Sequence, residues 1–317
     1  MRTQRTPRLV VSRPSGLHPL NLFLPTEDIL HSFMHNLAEK EGKGMRRKQL
    51  LRIMIGILAI ITVASVLATT AAAQVKFKTL HKFTGGKDGS SPVAALVADA
   101  ANNLYGTTIG GGAHGWGNVF ELTPNSKGGW TERVLHQFSG GKDGARPGAA
   151  LIFDAAGVLY GTTVGGGAYA KGTVFVLTPG ANGAWTEKVL HSFNADGVDG
   201  IAPYGSLAID TNGNLYGTSY EGGVYGFGTV FQMTPIGGGK WTETVLYSFT
   251  GGVDGSLPEA GVILDSAGCL YGTAAMGAYG HGLVFKLTPG QGGVDRECAL
   301  QLYRRQRWSR APREPSV

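Results

Sequence analysis

Cysteine is nearly absent from this sequence: its 317 residues contain two, Cys269 and Cys298. The first replaces a polar residue in a recurring turn and the second stands in an aberrant tail. Neither a disulfide framework nor a Cys-x-x-Cys metal pattern can be built from them. Such scarcity does not argue against export, because a large β core needs no staples. Charge is sparse too, at 16% of residues against 51 glycines, far from the Lys- and Glu-rich profile of disordered chains. The formal net charge of +6 belongs to the two ends. Residues 1–52 carry 10 basic and 4 acidic side chains and residues 291–317 carry 6 and 3, whereas 53–290 has 12 basic against 15 acidic. A nucleic-acid footprint would be a basic patch on the folded part; none is visible, which excludes that partner. Also missing are a nucleophile elbow, a His-Glu-x-x-His helix, a Walker loop and a dinucleotide fingerprint, since the glycine runs lie between strands. Glu121, Glu221 and Glu259 have no partner carboxylate that spacing would place beside them. The chain does not read as an enzyme.

What the sequence does contain is a repeat. Leu-Tyr-Gly-Thr recurs at Leu104–Thr107, Leu159–Thr162, Leu215–Thr218 and Leu270–Thr273, spaced by 55, 56 and 55 residues. Phe83, Phe138, Phe193 and Phe249 keep the same step, as do Phe120, Phe175, Phe231 and Phe285 of the Val-Phe-x-Leu-Thr-Pro segments. Each unit holds four short β-prone runs separated by turn residues; in the second they are ALIFD, VLYGTT, GTVFVLTP and WTEKVLHSF. Adjacent apolar residues such as Val174 and Phe175, or Val189 and Leu190, predict strands buried on both faces. Four antiparallel strands in 55 residues, stacked between neighbours, match a β-propeller blade. The expected fold is therefore all-β and propeller-like over 74–290, with about four blades. The segment Val75–Phe83 matches only a fourth strand, and the last unit shows only the first three. This leaves two arrangements open, a small ring closed by a shared blade and an open partial arc.

The units, with their GGxDG loops, LYGT strands and GTVFxLTP strands, resemble the GloVer tandem repeats of bacterial surface proteins with varied anchors. The resemblance covers about 74–290 and implies export, often with a C-terminal anchoring segment. It implies no activity.

Ahead of the repeats, Met45 opens MRRKQLLR, followed by an apolar stretch from Ile53 to about Thr70 and small residues at Ala71 and Ala73. This is the anatomy of a secretory signal peptide over 45–73, cleaved after Ala73 to expose Gln74. The other reading is an uncleaved segment, which would be the chain's sole membrane contact. Export to the extracellular space, cell surface or periplasm is expected. Lys40-Glu41-Gly42 can be encoded by a purine-rich ribosome-binding sequence, so 1–44 reads as an upstream, disordered extension and Met45 as the start. At the other end, 291–317 is Arg-rich and without alternation, and is expected to be disordered. Synonymous codons exist for which a one-base shift turns Val294–Ser309 into WTESALYSFTGGRDG, so the tail reads as a frameshifted next repeat.

Two sets of candidate binding residues follow from the expected topology, which sends the GGxDG and GGGA loops to one face. Asp88, Asp143, Asp199 and Asp254 of the GGxDG loops could offer carboxylates to Ca²⁺, the sole cofactor candidate, although Asp-Gly is also ordinary turn chemistry and is favoured as such. Trp116, Tyr169, Tyr225 and Tyr279 lie in the variable loops, where rings could stack on a surface glycan or a protein, or simply cover the ends of the blades. His81, His136 and His191 recur on the fourth run, but the fourth counterpart is Tyr247, which suits packing or a hydrogen bond better than ligation. The Trp130, Trp185 and Trp241 positions, each followed by Thr-Glu, read as packing. The first functional reading is an exported binding or structural module. Its alternatives are an envelope polysaccharide-active enzyme and a truncated product without function.

Overall fold

The structure, a computed structural model, describes residues 55–56, 76–277, 280–290 and 293–301. The expected extension 1–44, the signal segment 45–73 apart from 55–56, Tyr279, and the tail from 302 lie outside the described residues. The chain divides into compact units of 1–77 and 78–317, and the fold below is that of the second. Among the described residues no helix is long and apolar enough to cross a membrane.

The second unit is all-β. Four four-stranded antiparallel sheets follow one another along the chain, each with its strands in sequence order. In the second sheet the strands are Ile152–Phe153, Leu159–Thr163, Thr173–Pro179 and Trp185–Ser192. The first strand is shorter than the run ALIFD predicts, because the residues before it bond to neighbouring sheets instead. Ala149 O accepts from Thr107 Oγ1 at 3.1 Å, and Ala150 N donates to Ser206 Oγ at 3.1 Å. The third and fourth strands carry a bulge at the same place in every unit, after Val119, Val174, Val230 and Val284. In the second unit Val174 faces His191 and Phe175 faces Val189, so Leu190 is the extra residue. That explains why Val189 and Leu190 are adjacent and both apolar.

Two expectations are corrected here. Gly293–Gln301, inside the tail expected to be disordered, pairs antiparallel with Leu283–Gly290 as the last sheet's fourth strand. A hairpin partner needs backbone N–H and C=O groups more than alternating side chains, and the third strand offers a full row of them. Since the last sheet has its own fourth strand, Val75–Phe83 does not complete it by ring closure. Its residues from Lys78 onward lie instead against the first sheet, with Lys78 Nζ 2.6 Å from Gly128 O. Arg133 and Lys188 reach Gly183 and Gly239 of the following units in the same way.

The core lies between sheets rather than within one. One cluster joins Tyr160, Val174, Val176 and Phe193 of the second unit to Leu207, Leu215, Phe231 and Met233 of the third. Its repeated joint is a pair of rings, where the Phe ending one fourth strand packs edge-on against the Val-Phe ring of the next unit. The pairs Phe83–Phe120, Phe138–Phe175, Phe193–Phe231 and Phe249–Phe285 have centroids 5.0, 5.2, 5.1 and 5.3 Å apart. Both series of Phe markers are thus two halves of one contact, which is why they share a period.

Each letter of Leu-Tyr-Gly-Thr has a physical task. Leu159 and Leu215 are fully buried. The Tyr hydroxyl closes the turn before it, as Tyr105 donates to Asp99 Oδ2 at 3.0 Å and Tyr216 to Asp210 Oδ2 at 3.1 Å. The Gly makes room for the Phe ring: a Cβ on Gly161 would lie 2.6 Å from Phe175 Cζ. The Thr hydroxyl reaches a carbonyl of the next unit, as Thr218 Oγ1 does to Ala260 O at 2.9 Å.

Candidate functional site

The loops between units and the loops between second and third strands meet on one face, as the repeat topology predicts. Gly112 N donates to Gly86 O, Gly167 N to Gly141 O and Gly223 N to Asp199 O, each at 2.8 Å. Backbone in the left-handed region supports these junctions: Arg146, Ala202 and Leu257 have φ of 59°, 54° and 57°. Their N–H groups donate to Trp116 O, Lys171 O and Phe227 O, bonds that offset the strain. Because the residue at this position varies, nothing in the sequence marks it.

The four loop aspartates do not gather into one site. Each closes its own turn. Asp88 Oδ2 accepts from Thr84 N at 2.7 Å and Asp143 Oδ2 from Ser139 N at 2.8 Å. Asp254 Oδ2 accepts from Thr250 N at 2.7 Å, and Asp199 Oδ2 from Asn194 N at 2.9 Å. The hydroxyls of Thr84, Ser139 and Thr250 bond the other oxygen. The hydrogen bonds from Thr84 and Ser139 pull the carboxyls of Asp88 and Asp143 below the ordinary value; for Asp143 they outweigh burial, which pushes the other way. Turn closure is common to all four carboxylates.

Each turn carboxylate also faces the recurring ring of the fourth strand before it. His81 Nε2 lies 3.7 Å from Asp88 Oδ2, His136 Nε2 3.5 Å from Asp143 Oδ2, and His191 Nε2 2.9 Å from Asp199 Oδ2. In the fourth junction Tyr247 OH donates to Asp254 Oδ2 at 2.9 Å. This hydrogen bond explains how His and Tyr can alternate at one position.

The third member of the arrangement was not legible in sequence. It is the Glu of the Trp-Thr-Glu segment in the following unit. The Oε1 atoms of Glu132, Glu187 and Glu243 are buried without a hydrogen-bond partner. Burial, reinforced by the charge of Asp143, pushes the Glu187 carboxyl up to about 7. Burial also pushes Glu243 up to about 7, with Asp199 and Asp196 adding to the rise and His191 opposing it. Burial likewise raises Glu132, which senses His81 and Asp88. Among the described residues, His191, Asp199 and Glu243 are the three whose ligand atoms come within 4.8 Å of one another. Asp199 also lines a shallow pocket with Ala195, Gly197, Ile201, Glu221 and Gly223.

The loop aromatics divide into two positions. Trp116 and Phe227 lie over glycines of the next GGxDG loop, since a Cβ on Gly140 or Gly251 would meet their rings. The Arg146 guanidinium stands 5.5 Å from the Trp116 ring centre. Tyr169 and Tyr225 project further, at 59% and 57% exposure against 39% for Trp116. Tyr279 falls at the same repeat position as Tyr169 and Tyr225, outside the described residues.

The repeat geometry has a counterpart among known families. The model of the Gloeobacter/Verrucomicrobia repeat matches residues 64–183 and 126–305. The chain belongs to this family. The matches overlap and span the four sheets, so the Gloeobacter/Verrucomicrobia repeat and the sheet-to-sheet joints describe the same period. No curated protein matches the chain.

Proposed function

We propose that this Gloeobacter/Verrucomicrobia repeat protein is an exported binding module, a propeller-like arc whose loop face holds a surface glycan. The arc is supported by the crowding of successive first-strand ends. A Cβ on Gly205 would lie 2.5 Å from Gly261 N, so the chain entering one sheet packs closely on the chain entering the next. The observation that carries binding is the pair Tyr169 and Tyr225, exposed rings at one repeat position on loops pinned by backbone hydrogen bonds. An aromatic ring already held in place stacks on a sugar face at little entropic cost. Export rests on the basic, apolar and small-residue order of 45–73.

Two measurements test this reading. A glycan array probed with the wild type and with Trp116, Tyr169, Tyr225 and Tyr279 all changed to Ala should show glycan retention lost in the variant. A glycan held equally by both would remove the loop face from consideration, and binding only to protein ligands would favour a protein partner. Mass spectrometry of the exported chain should find Gln74 as the first residue. Peptides from 1–44 in that fraction would end the cleavage claim.

A further inference from the structure

The junction between the second and third units brings together an imidazole, a turn carboxylate and a buried carboxylate, each from a different segment. His191 is the penultimate residue of one fourth strand, Asp199 closes the turn after it, and Glu243 sits on the fourth strand of the next unit. We propose that His191 Nε2, Asp199 Oδ2 and Glu243 form a binding site for a zinc-class divalent cation. This assignment is independent of glycan binding.

The first argument is charge and hydrogen bonding. Two carboxyl groups and an imidazole crowd one poorly hydrated place, and a divalent cation would take up the negative charge that its bound carboxylate oxygens carry. Glu243 Oε1 is buried without a donor, and a metal bond would satisfy it. The pattern recurs: Glu132, Glu187, and the Nε2 atoms of His81 and His136 are likewise buried without hydrogen-bond partners. One orphaned atom can be an accident of packing. The Glu Oε1 left open at three successive junctions points to a missing partner; at the third junction His191 Nε2 and Asp199 Oδ2 share a hydrogen bond, which a cation between them would replace.

The second argument is distance. Ligand atoms bound at about 2.1 Å in a tetrahedral site stand roughly 3.4 Å apart. The imidazole-to-carboxylate separations at the three junctions are 3.7, 3.5 and 2.9 Å, which bracket that spacing. At the third junction all three ligand atoms already fall within 4.8 Å of one another, so closing any separation by about 1.4 Å or less completes the set. An imidazole ligand selects against Ca²⁺ and Mg²⁺, which take oxygen, and in favour of zinc-class ions. Asp199, one of the three ligands, also lines the shallow pocket on the loop side. The fourth junction is built otherwise: Tyr247 replaces the imidazole, and Arg296 faces Leu287 where Glu243 faces Met233 in the third sheet. Sites of this kind therefore number three at most among the described residues.

The experiment is a zinc titration of untagged, chelator-stripped protein at pH 7.5, read by competition with a fluorescent zinc indicator. The wild type, His191→Ala, Glu243→Gln and the control His114→Ala would be compared, with Ca²⁺ as a competing arm. The expected result is that His191→Ala and Glu243→Gln each bind one zinc fewer, or bind that zinc at least tenfold more weakly. His114→Ala should keep the full count, and millimolar Ca²⁺ should not displace zinc. Melting curves in chelator show whether the variants fold, and Glu243→Gln preserves the shape of the side chain. Equal zinc uptake by the wild type and both site variants overturns the proposal. So does a wild type that takes up no zinc, or one in which Ca²⁺ displaces it.

Discussion

Phe175→Ala is expected to destabilise the repeat domain by about 3–5 kcal/mol, among the largest losses any single substitution here would cause. Phe175 is fully buried, and its ring fills the joint between the first and second sheets against Phe138. Stacked repeats are held largely by nearest-neighbour contacts, so an emptied joint uncouples the units on either side of it. Gly161→Ala attacks the same joint from the other side. Its new methyl group would sit 2.6 Å from Phe175 Cζ and 2.9 Å from Leu151 Cδ2, and neither can retreat within a packed core. Overpacking of this kind should cost about 1–3 kcal/mol. Urea unfolding curves of the single variants, and of Gly161→Ala combined with Phe175→Leu, measure the coupling. The double variant should lose less than the sum of the two losses, because the smaller side chain makes room for the methyl group. A neutral Gly161→Ala would show that the ring is not confined as described.

The second large effect concerns pH in metal-free protein. Glu187 and Glu243 have carboxyls pushed up to about 7, against an ordinary value of 4.5 in the unfolded chain. Between those values the folded state holds more protons than the unfolded state, so stability falls as pH rises from about 4.5 through 7. After allowance for solvent screening, each carboxyl contributes roughly 1–2 kcal/mol of this loss. Opposing trends lie further towards acid. Asp143, Asp210 and Asp254 are held below their ordinary value by hydrogen bonds that outweigh burial, so their stabilisation disappears as pH falls through those depressed values. His136, which burial holds below its ordinary value, adds a loss as pH drops below about 6.5. Two raised carboxyls outweigh that single imidazole, so maximum stability in chelator should fall near pH 5 rather than pH 8. Melting temperatures across pH 3–9, for the wild type and for Glu187→Gln with Glu243→Gln, check this. The double variant should gain stability at pH 8 and lose most of the slope between pH 5 and 8. An unchanged slope would show that these carboxyls are hydrated.

The period, the four strands per unit and the turn role of Asp-Gly were legible in the sequence because they are local or strictly repetitive. Leu159, Tyr160 and Gly161 face their tasks within one strand and its immediate neighbours, and Thr162 meets Gly205 one repeat further on, so a repeating motif records all four. The exposed Tyr169 and Tyr225 were legible for the same reason, as variation on a constant loop. The bulge at Leu190 was not, because two adjacent apolar residues also fit a strand buried on both faces.

His191, Asp199 and Glu243 mark the boundary between the two kinds of information. By itself the sequence determined that all three residues recur, and that His and Tyr can share one position, since periodicity is written along the chain. Only the tertiary structure decided that Glu243 stands beside a His and an Asp from the preceding unit. The physical reason is the stacking. Each sheet buries its faces against its neighbours, so the end of one unit meets the fourth strand of the next, and residues far apart in the chain share one poorly hydrated junction.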